Sequence, residues 1–191
     1  MSADITSIMT SSTDRTQLFH ALHQPGPLTL PNAWDVASAL IVEAAGAKAV
    51  ATTSAGVAWS LGAPDGDALS RDLAIDLVAR IAKAVRVPVT ADIESGFGKN
   101  ADEVGETVRA VSEAGASGVN IEDGHEGSVR DAQEQKERLA AAREAPRSST
   151  STPGSTCICA GSATRRTACR SPSTAPGRTS RRGRAASSCP V

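Results

Sequence analysis

The chain has 191 residues, 40% of them apolar, and a formal net charge of -1. That is the length and balance of one globular domain, and no apolar run approaches the length of a membrane span. The average hides a split, because residues 1–146 carry 12 Lys and Arg against 21 Asp and Glu, while residues 147–191 carry eight Arg and no acid. All four cysteines, Cys157, Cys159, Cys169 and Cys189, lie in that tail, so the body has no thiol for a disulfide, a zinc site or nucleophilic catalysis. With a polar start over Met1 to Ser12 and no apolar signal core, the expectation is a soluble protein of the reducing cytosol.

Asp14 to Gln24 carries Leu18, Phe19 and Leu22 at helical spacing and is closed by Pro25-Gly26. His20 and His23 in this helix have no acid or cysteine nearby and read as packing or surface residues. A short strand follows at Leu28 to Asn32, then an apolar helix from Asp35, its cap, to Ala45, ended by Gly46. Ala47 to Ser54 is the second strand, and a loop with Gly56, Gly62, Pro64 and Gly66 leads into a helix from Ser70 to Val85. In that helix Leu73, Leu77, Val78 and Ile81 form the expected apolar stripe.

Val87 to Gly98 is the third strand and its turn. Asn100 to Ala114 is the next helix, with Asn100 and Glu103 in capping-box positions and Gly115 at its end. Ser117 to Asp123 is a fourth strand, and Val129 to Ala145 a strongly polar fourth helix. Strand and helix thus alternate four times, as in a parallel sheet with right-handed crossovers. The architecture is either a doubly wound sheet or the first half of a (β/α)8 barrel.

Acids recur where these strands end. Strand two leads through Thr53-Ser54-Ala55-Gly56 to Asp65, strand three ends in Asp92 and Glu94, and strand four ends in Glu122-Asp123. Period-2 alternation predicts Asp92 and Glu94 on one side of their strand, where two carboxylates need a cation, a proton or water between them. Either parallel architecture binds ligands at this carboxyl edge. The competing explanation, that each acid only caps the next helix, suits any one of them better than all four.

Carboxylates with room for water and without His or Cys suit Mg2+ or Mn2+ rather than zinc. Such an ion grips the carboxylate and carbonyl oxygens of a 2-oxo acid, and Thr53, Ser54 and the adjoining small-residue backbone offer donors for a substrate carboxylate. A rival reading takes Gly96-Phe97-Gly98 as a dinucleotide-binding turn, but Asp92 and Glu94 directly before it would repel a pyrophosphate.

Taken together, Leu30 to Asp35, Thr53 to Ala58, Leu61 to Asp65, Ala91 to Gly98 and Gly118 to Asp123 resemble the isocitrate lyase and phosphoenolpyruvate mutase superfamily, over about residues 14–145. The resemblance implies a (β/α)8 barrel of which the first four units are present, in a family that is usually homo-oligomeric. It also implies Mg2+-dependent cleavage or formation of C–C or P–C bonds beside a 2-oxo carboxylate. By position, Asp92 would be the direct metal ligand, Asp65, Glu94 and Glu122 would hold its waters, and Thr53, Ser54, Ala55 and Gly56 would hold the substrate carboxylate.

Two departures matter. Glu94 stands where the lyases and mutases carry aspartate. The loop Gly124-His125-Glu126-Gly127-Ser128 lacks the cysteine that serves as acid in isocitrate and methylisocitrate cleavage, which disfavours those two activities. An imidazole suits the task, which makes His125 a candidate substitute proton donor, but a plain solvated loop histidine is the favoured reading. A decarboxylase or hydrolase of oxaloacetate-like acids, or a mutase-like lyase, remains.

After Pro146 the periodicity stops, and the expectation is a low-complexity tail over 146–191 without regular structure. Its arginines at face value read as a basic disordered arm for nucleic acid, the rival of a frame error. Read from each codon's third base, Ser148 to Gly161 permit V-V-D-I-N-A-R-V-D-V-Y-L-R-G, which contains the N-A-R-x-D that the family carries on its fifth strand. Ala175 to Val191 permit a further helix and strand in the same frame. The sequence is therefore expected to leave its frame near residue 146, ending as an inactive fragment.

Overall fold

The computed structural model describes residues 12–24, 26–125, 128–145, 157–162 and 165–170, the side chains of 12, 13, 125 and 157–170 excepted. Helix α1 (Ser12–Leu22) is tied down by Phe19, fully buried against Ala49, while the His23 imidazole edge meets the Phe19 ring at 4.7 Å and Nδ1 lies 2.7 Å from the Phe19 carbonyl. Packing is the role these contacts give His23. Arg15 reaches across to the Ala82 and Val85 carbonyls at 2.6 and 3.2 Å, tying α1 to that segment.

Strand β1 (Asn32–Ala33) starts later than the Leu28 to Asn32 strand expected, and Trp34 and Asp35 then turn into helix α2 (Val36–Ala44). Asp35 caps that helix by accepting from the Ser38 N–H at 2.7 Å, and Ser38 Oγ accepts the Asp35 N–H in return at 3.1 Å. Strand β2 (Val50–Thr52) gives way at once to helix α3 (Ser54–Ser60), where the sequence pointed to a loop. Gly56 is the reason the turn closes so tightly: a Cβ there would stand 2.9 Å from Trp34 Cβ and 2.8 Å from Thr53 Cγ2.

Helix α4 (Arg71–Ala84) is capped by Ser70 and buries Ala74, Leu77, Val78, Ile81 and Ala82. Leu73, expected in that stripe, is half exposed; Ala74 occupies its place, and a small residue there lets α4 lie close to the sheet. Strand β3 (Val89–Asp92) and helix α5 (Ala101–Glu113) follow, the helix burying Val104, Thr107, Val108 and Val111 at helical spacing. Asn100 Oδ1 accepts the Glu103 N–H at 3.0 Å, while the Glu103 carboxylate reaches the Lys99 N–H, one residue further back than in the standard box. Strand β4 (Gly118–Glu122), a small hairpin of β5 (Gly124–His125) and β6 (Ser128–Val129), and helix α6 (Ala132–Glu144) complete the body.

The strands stand side by side in chain order, β1-β2-β3-β4, all parallel. A doubly wound sheet reverses its order at a switch point, and this one does not; it has the sequence of a barrel's opening units. Besides the small Phe19–Ala49 cluster, two larger ones form the core among the described residues: one of β2 and β3 with α2 and α4, centred on Val50, Val89 and Ile81, the other of β4 with α5, centred on Val119, Ile121 and Val104.

The sheet continues into the arginine-rich tail, which revises the expectation of no regular structure there. Strand β7 (Cys157–Ser162) pairs parallel with β4, Gly118 opposite Cys157 through Glu122 opposite Gly161, and β8 (Arg165–Arg170) folds back antiparallel on it. The open edge of β4 presents a row of unpaired backbone donors and acceptors, and the Cys-Ile-Cys-Ala run has the composition to meet it. Residues 146–156, 163–164 and 171–191 lie outside the described residues.

Candidate functional site

Asp92 closes β3 with its N–H and both carboxylate oxygens hydrogen-bonded. Its N–H donates to Thr52 Oγ1 at 2.9 Å, its Oδ2 accepts the Ser54 N–H at 3.2 Å, and its Oδ1 accepts the Glu94 N–H at 3.2 Å and Asn120 Nδ2 at 3.4 Å. Strands β2 and β4 and the first turn of α3 therefore converge on Asp92, β2 at its main-chain N–H and the others at its carboxylate. That convergence is what the carboxyl edge of a parallel sheet offers, three strand ends within hydrogen-bonding reach.

Glu94 departs from the alternation expected of it. The strand ends at Asp92, and Glu94 takes a left-handed backbone with φ of 51°, so its side chain reaches across to the α3–α4 loop. There its Oε2 accepts the N–H of Asp67, itself left-handed at φ 57°, and Asp67 Oδ1 accepts the Ser95 N–H at 3.4 Å. Glu122 ends β4, and its N–H donates to the Glu94 carbonyl at 2.8 Å. Asp65 stands exposed two residues before Asp67 in the same loop.

These acids feel one another. Burial above all, and then the charges of Asp67, Asp65 and Asp92, push the Glu94 carboxyl above its ordinary range against the pull of the Asp67 N–H. Burial again comes first for Glu122, followed by Asp92, Asp65, Asp67 and Asp123, and the direction is the same. The cluster is thus short of positive charge at its centre. A cavity of about 530 Å3 opens beside it, with Asp67, Ser95, Phe97, Lys99 and Arg130 among its lining residues.

Among the described residues no three His, Cys, Asp or Glu side chains converge as a ready-made ligand shell. The set fits a hard cation that keeps most of its own water and takes only one or two carboxylates, as Mg2+ does. Asn120 adds a second sign: its Oδ1 is buried without a protein partner next to Asp92, an oxygen left available to a cation or its water.

Thr53 is the N-cap of α3 without a side-chain cap bond, and the Ala55 and Gly56 N–H groups lie in the helix's first turn, beyond the reach of any earlier carbonyl of that helix. His125 sits in β5 opposite Ser128, just past the end of β4. The glycines of the rival dinucleotide reading serve packing. A Cβ on Gly96 would stand 2.9 Å from Val104 Cγ2 and one on Gly98 2.8 Å from the Val104 nitrogen, while Glu103 already occupies the Lys99 N–H.

Three partners of the acids escaped the sequence reading. Asn120 was within reach of it, standing two residues before Glu122 and so on the same strand face. Asp67 and Thr52 carried no such signal, because a left-handed loop and a cross-strand hydroxyl leave no periodicity.

Residues 19–153 match the family described as phosphoenolpyruvate phosphomutase. An uncharacterized Mycobacterium tuberculosis protein, Rv1998c, is 45% identical over 106 residues, 55% of this chain and 40% of that protein. The 2-methylisocitrate lyase of Salmonella typhimurium is 35% identical over 104 residues, 54% of this chain and 35% of the lyase. A crystal structure of phosphonopyruvate hydrolase in complex with oxalate and Mg2+ superposes with a TM-score of 0.65 at 28% identity, over 69% of this chain and 48% of that one. The chain thus spans about 40% or less of the curated relatives it matches, and its parallel units are part of a (β/α)8 barrel. It belongs to the phosphoenolpyruvate phosphomutase family, within the superfamily that includes the 2-methylisocitrate lyases.

Proposed function

We propose that the strand-end acids hold Mg2+, or Mn2+ in its place, for a lyase-class reaction on a small 2-oxo acid in the cytosol. The observation that carries this is the convergence of three strand ends on Asp92, surrounded by acids that repel one another. Asp92 would hold the ion directly, with Asp65, Glu94 and Glu122 around its waters and Asn120 Oδ1 beside it. When bound, the ion supplies the positive charge that polarises the carbonyl and carboxylate oxygens of a 2-oxo acid. The hydrolase relative that binds oxalate with Mg2+ supports the class, since oxalate has the paired oxygens of a 2-oxo carboxylate.

The chain's own groups do the rest. The Thr53 and Ser54 hydroxyls and the Ala55 and Gly56 N–H groups orient the substrate carboxylate at the start of α3. Ser54 has a second duty, since its N–H keeps Asp92 aimed. His125, in the loop that lacks a cysteine, would deliver the proton that replaces the cleaved bond. The absence of that cysteine favours decarboxylation or hydrolysis of oxaloacetate-like acids, or mutase-like chemistry, over methylisocitrate cleavage.

The body at 14–145 and the tail at 146–191 are, on this reading, in different frames, and the substrate-binding arginine belongs to the shifted string over Ser148 to Gly161. The charge split and the ordered family-like segments in one alternative frame support it. Re-reading the DNA around codon 146 tests it: codons that forbid the shifted string refute the frame error. Function is tested by offering oxaloacetate and Mg2+ to this chain and to its frame-corrected, family-like homo-oligomeric form. Pyruvate release is expected from the corrected form alone and should vanish with EDTA; release insensitive to EDTA would refute the metal role.

A further inference from the structure

Helix α6 is polar along most of its length, yet it turns a charged residue inward. Gln135, Arg138 and Ala142 are its buried positions, and Arg138 is only 1% exposed. Gly105 of α5 makes room for this approach, since a Cβ there would meet the Ala141 carbonyl oxygen of α6 at 3.3 Å. A buried guanidinium is costly unless its hydrogens are used. Arg138 Nη2 donates to the carbonyl oxygens of Ser95 at 2.7 Å and Gly98 at 2.8 Å, and Nη1 lies 3.9 Å from the Glu134 carboxylate.

Those two carbonyls bracket an unusual piece of backbone. Within four residues, Glu94, Gly96 and Phe97 have φ of 51°, 101° and 48°. Left-handed residues in such density persist only where the surroundings over-determine them. Three residues earlier on the same helix face, Gln135 Nε2 donates to the Glu122 carbonyl at 3.3 Å. One helix face therefore holds main-chain oxygens at or beside Glu94 and Glu122 of the acid cluster.

We propose that Arg138, with Gln135, is a positioning residue: it fixes the left-handed turn after β3, and through it the direction in which Glu94 faces the cation. The idea deepens the metal reading and rests on it for its purpose, but the holding of the turn can be measured without any metal. Glu134, Arg130, Asp67 and Glu103 are the charges around the guanidinium, and none of them donates to the Ser95 or Gly98 carbonyl in its place.

The test is amide hydrogen exchange on the full chain, metal-free, for wild type, Arg138→Met, Arg138→Lys and Gln135→Met, alongside Mn2+ titration. In Arg138→Met, exchange over residues 95–99 should rise at least tenfold while α4 is unchanged, and Mn2+ affinity should fall at least tenfold. Arg138→Lys, which keeps a donor, should fall between; Gln135→Met should loosen the end of β4 and leave 95–99 protected. Unchanged exchange at 95–99 in either Arg138 variant, or a rise spread equally over α4 and α5, overturns the proposal. Should Arg138→Met fail to fold, Arg138→Lys decides by the same criterion. Failure of wild type to bind Mn2+ would refute the metal reading alone, and the exchange result would still decide whether Arg138 holds the turn.

Discussion

Gly96→Ala separates two costs that usually arrive together. Gly96 has φ of 101°, and a Cβ there would stand 2.9 and 3.0 Å from the two Cγ atoms of Val104, a side chain with 0% exposure and nowhere to move. Gly46, after α2, has nearly the same backbone, φ 92°, with nothing within 4 Å of its virtual Cβ. For either glycine, the left-handed strain costs about 1–3 kcal/mol, offset by roughly 0.4–1 kcal/mol from a stiffer unfolded chain. Only Gly96→Ala adds overpacking against Val104, about 1–3 kcal/mol. Equilibrium urea unfolding should place Gly96→Ala below Gly46→Ala by that last amount. Equal losses in the two variants would mean that the turn after β3 is not packed on α5, and the positioning of Glu94 would lose its basis.

Thr52→Val keeps the shape of a buried side chain but leaves the Asp92 N–H without its acceptor; a loss of about 1–3 kcal/mol is expected in the same assay. The raised carboxyls of Glu94 and Glu122 predict a pH dependence of definite sign. Above the ordinary value of 4.5 the folded chain keeps protons that the unfolded chain has released, so this pair's contribution is most favourable below 4.5 and is lost as pH rises through the folded values. Relative to wild type, Glu94→Gln/Glu122→Gln should therefore gain stability as pH rises from 4 to 8. Saturating Mg2+ should raise the wild-type Tm more at pH 8 than at pH 5; a pH-independent rise would refute competition between the ion and these protons.

How legible the molecule was in its sequence varied with the kind of signal. Helices α4 and α5 announced themselves by caps and stripes, Ser70 and Asn100 opening them and Gly115 closing the second, because these are local interactions that leave a spacing behind. The four parallel strands followed from alternation, but whether they reversed order did not, since strand order is decided by packing between distant segments. At the site, Asp92 and Glu122 stood at strand ends, where period and turn residues point. Glu94 was assigned to the right cluster for an incomplete reason: its backbone leaves the strand, and its carboxylate meets Asp67 rather than lying in line with Asp92. Arg138 was invisible, because an arginine in a polar helix reads as surface until a glycine in the facing helix, Gly105, lets the two close together.

The central claim is that the strand-end acids hold one divalent cation around Asp92. Titrating the purified chain with Mn2+, read as loss of the free-ion paramagnetic signal, should show one site per chain that Mg2+ displaces and Asp92→Asn abolishes with the fold intact. An Asp92→Asn chain that binds Mn2+ as tightly as wild type would contradict it.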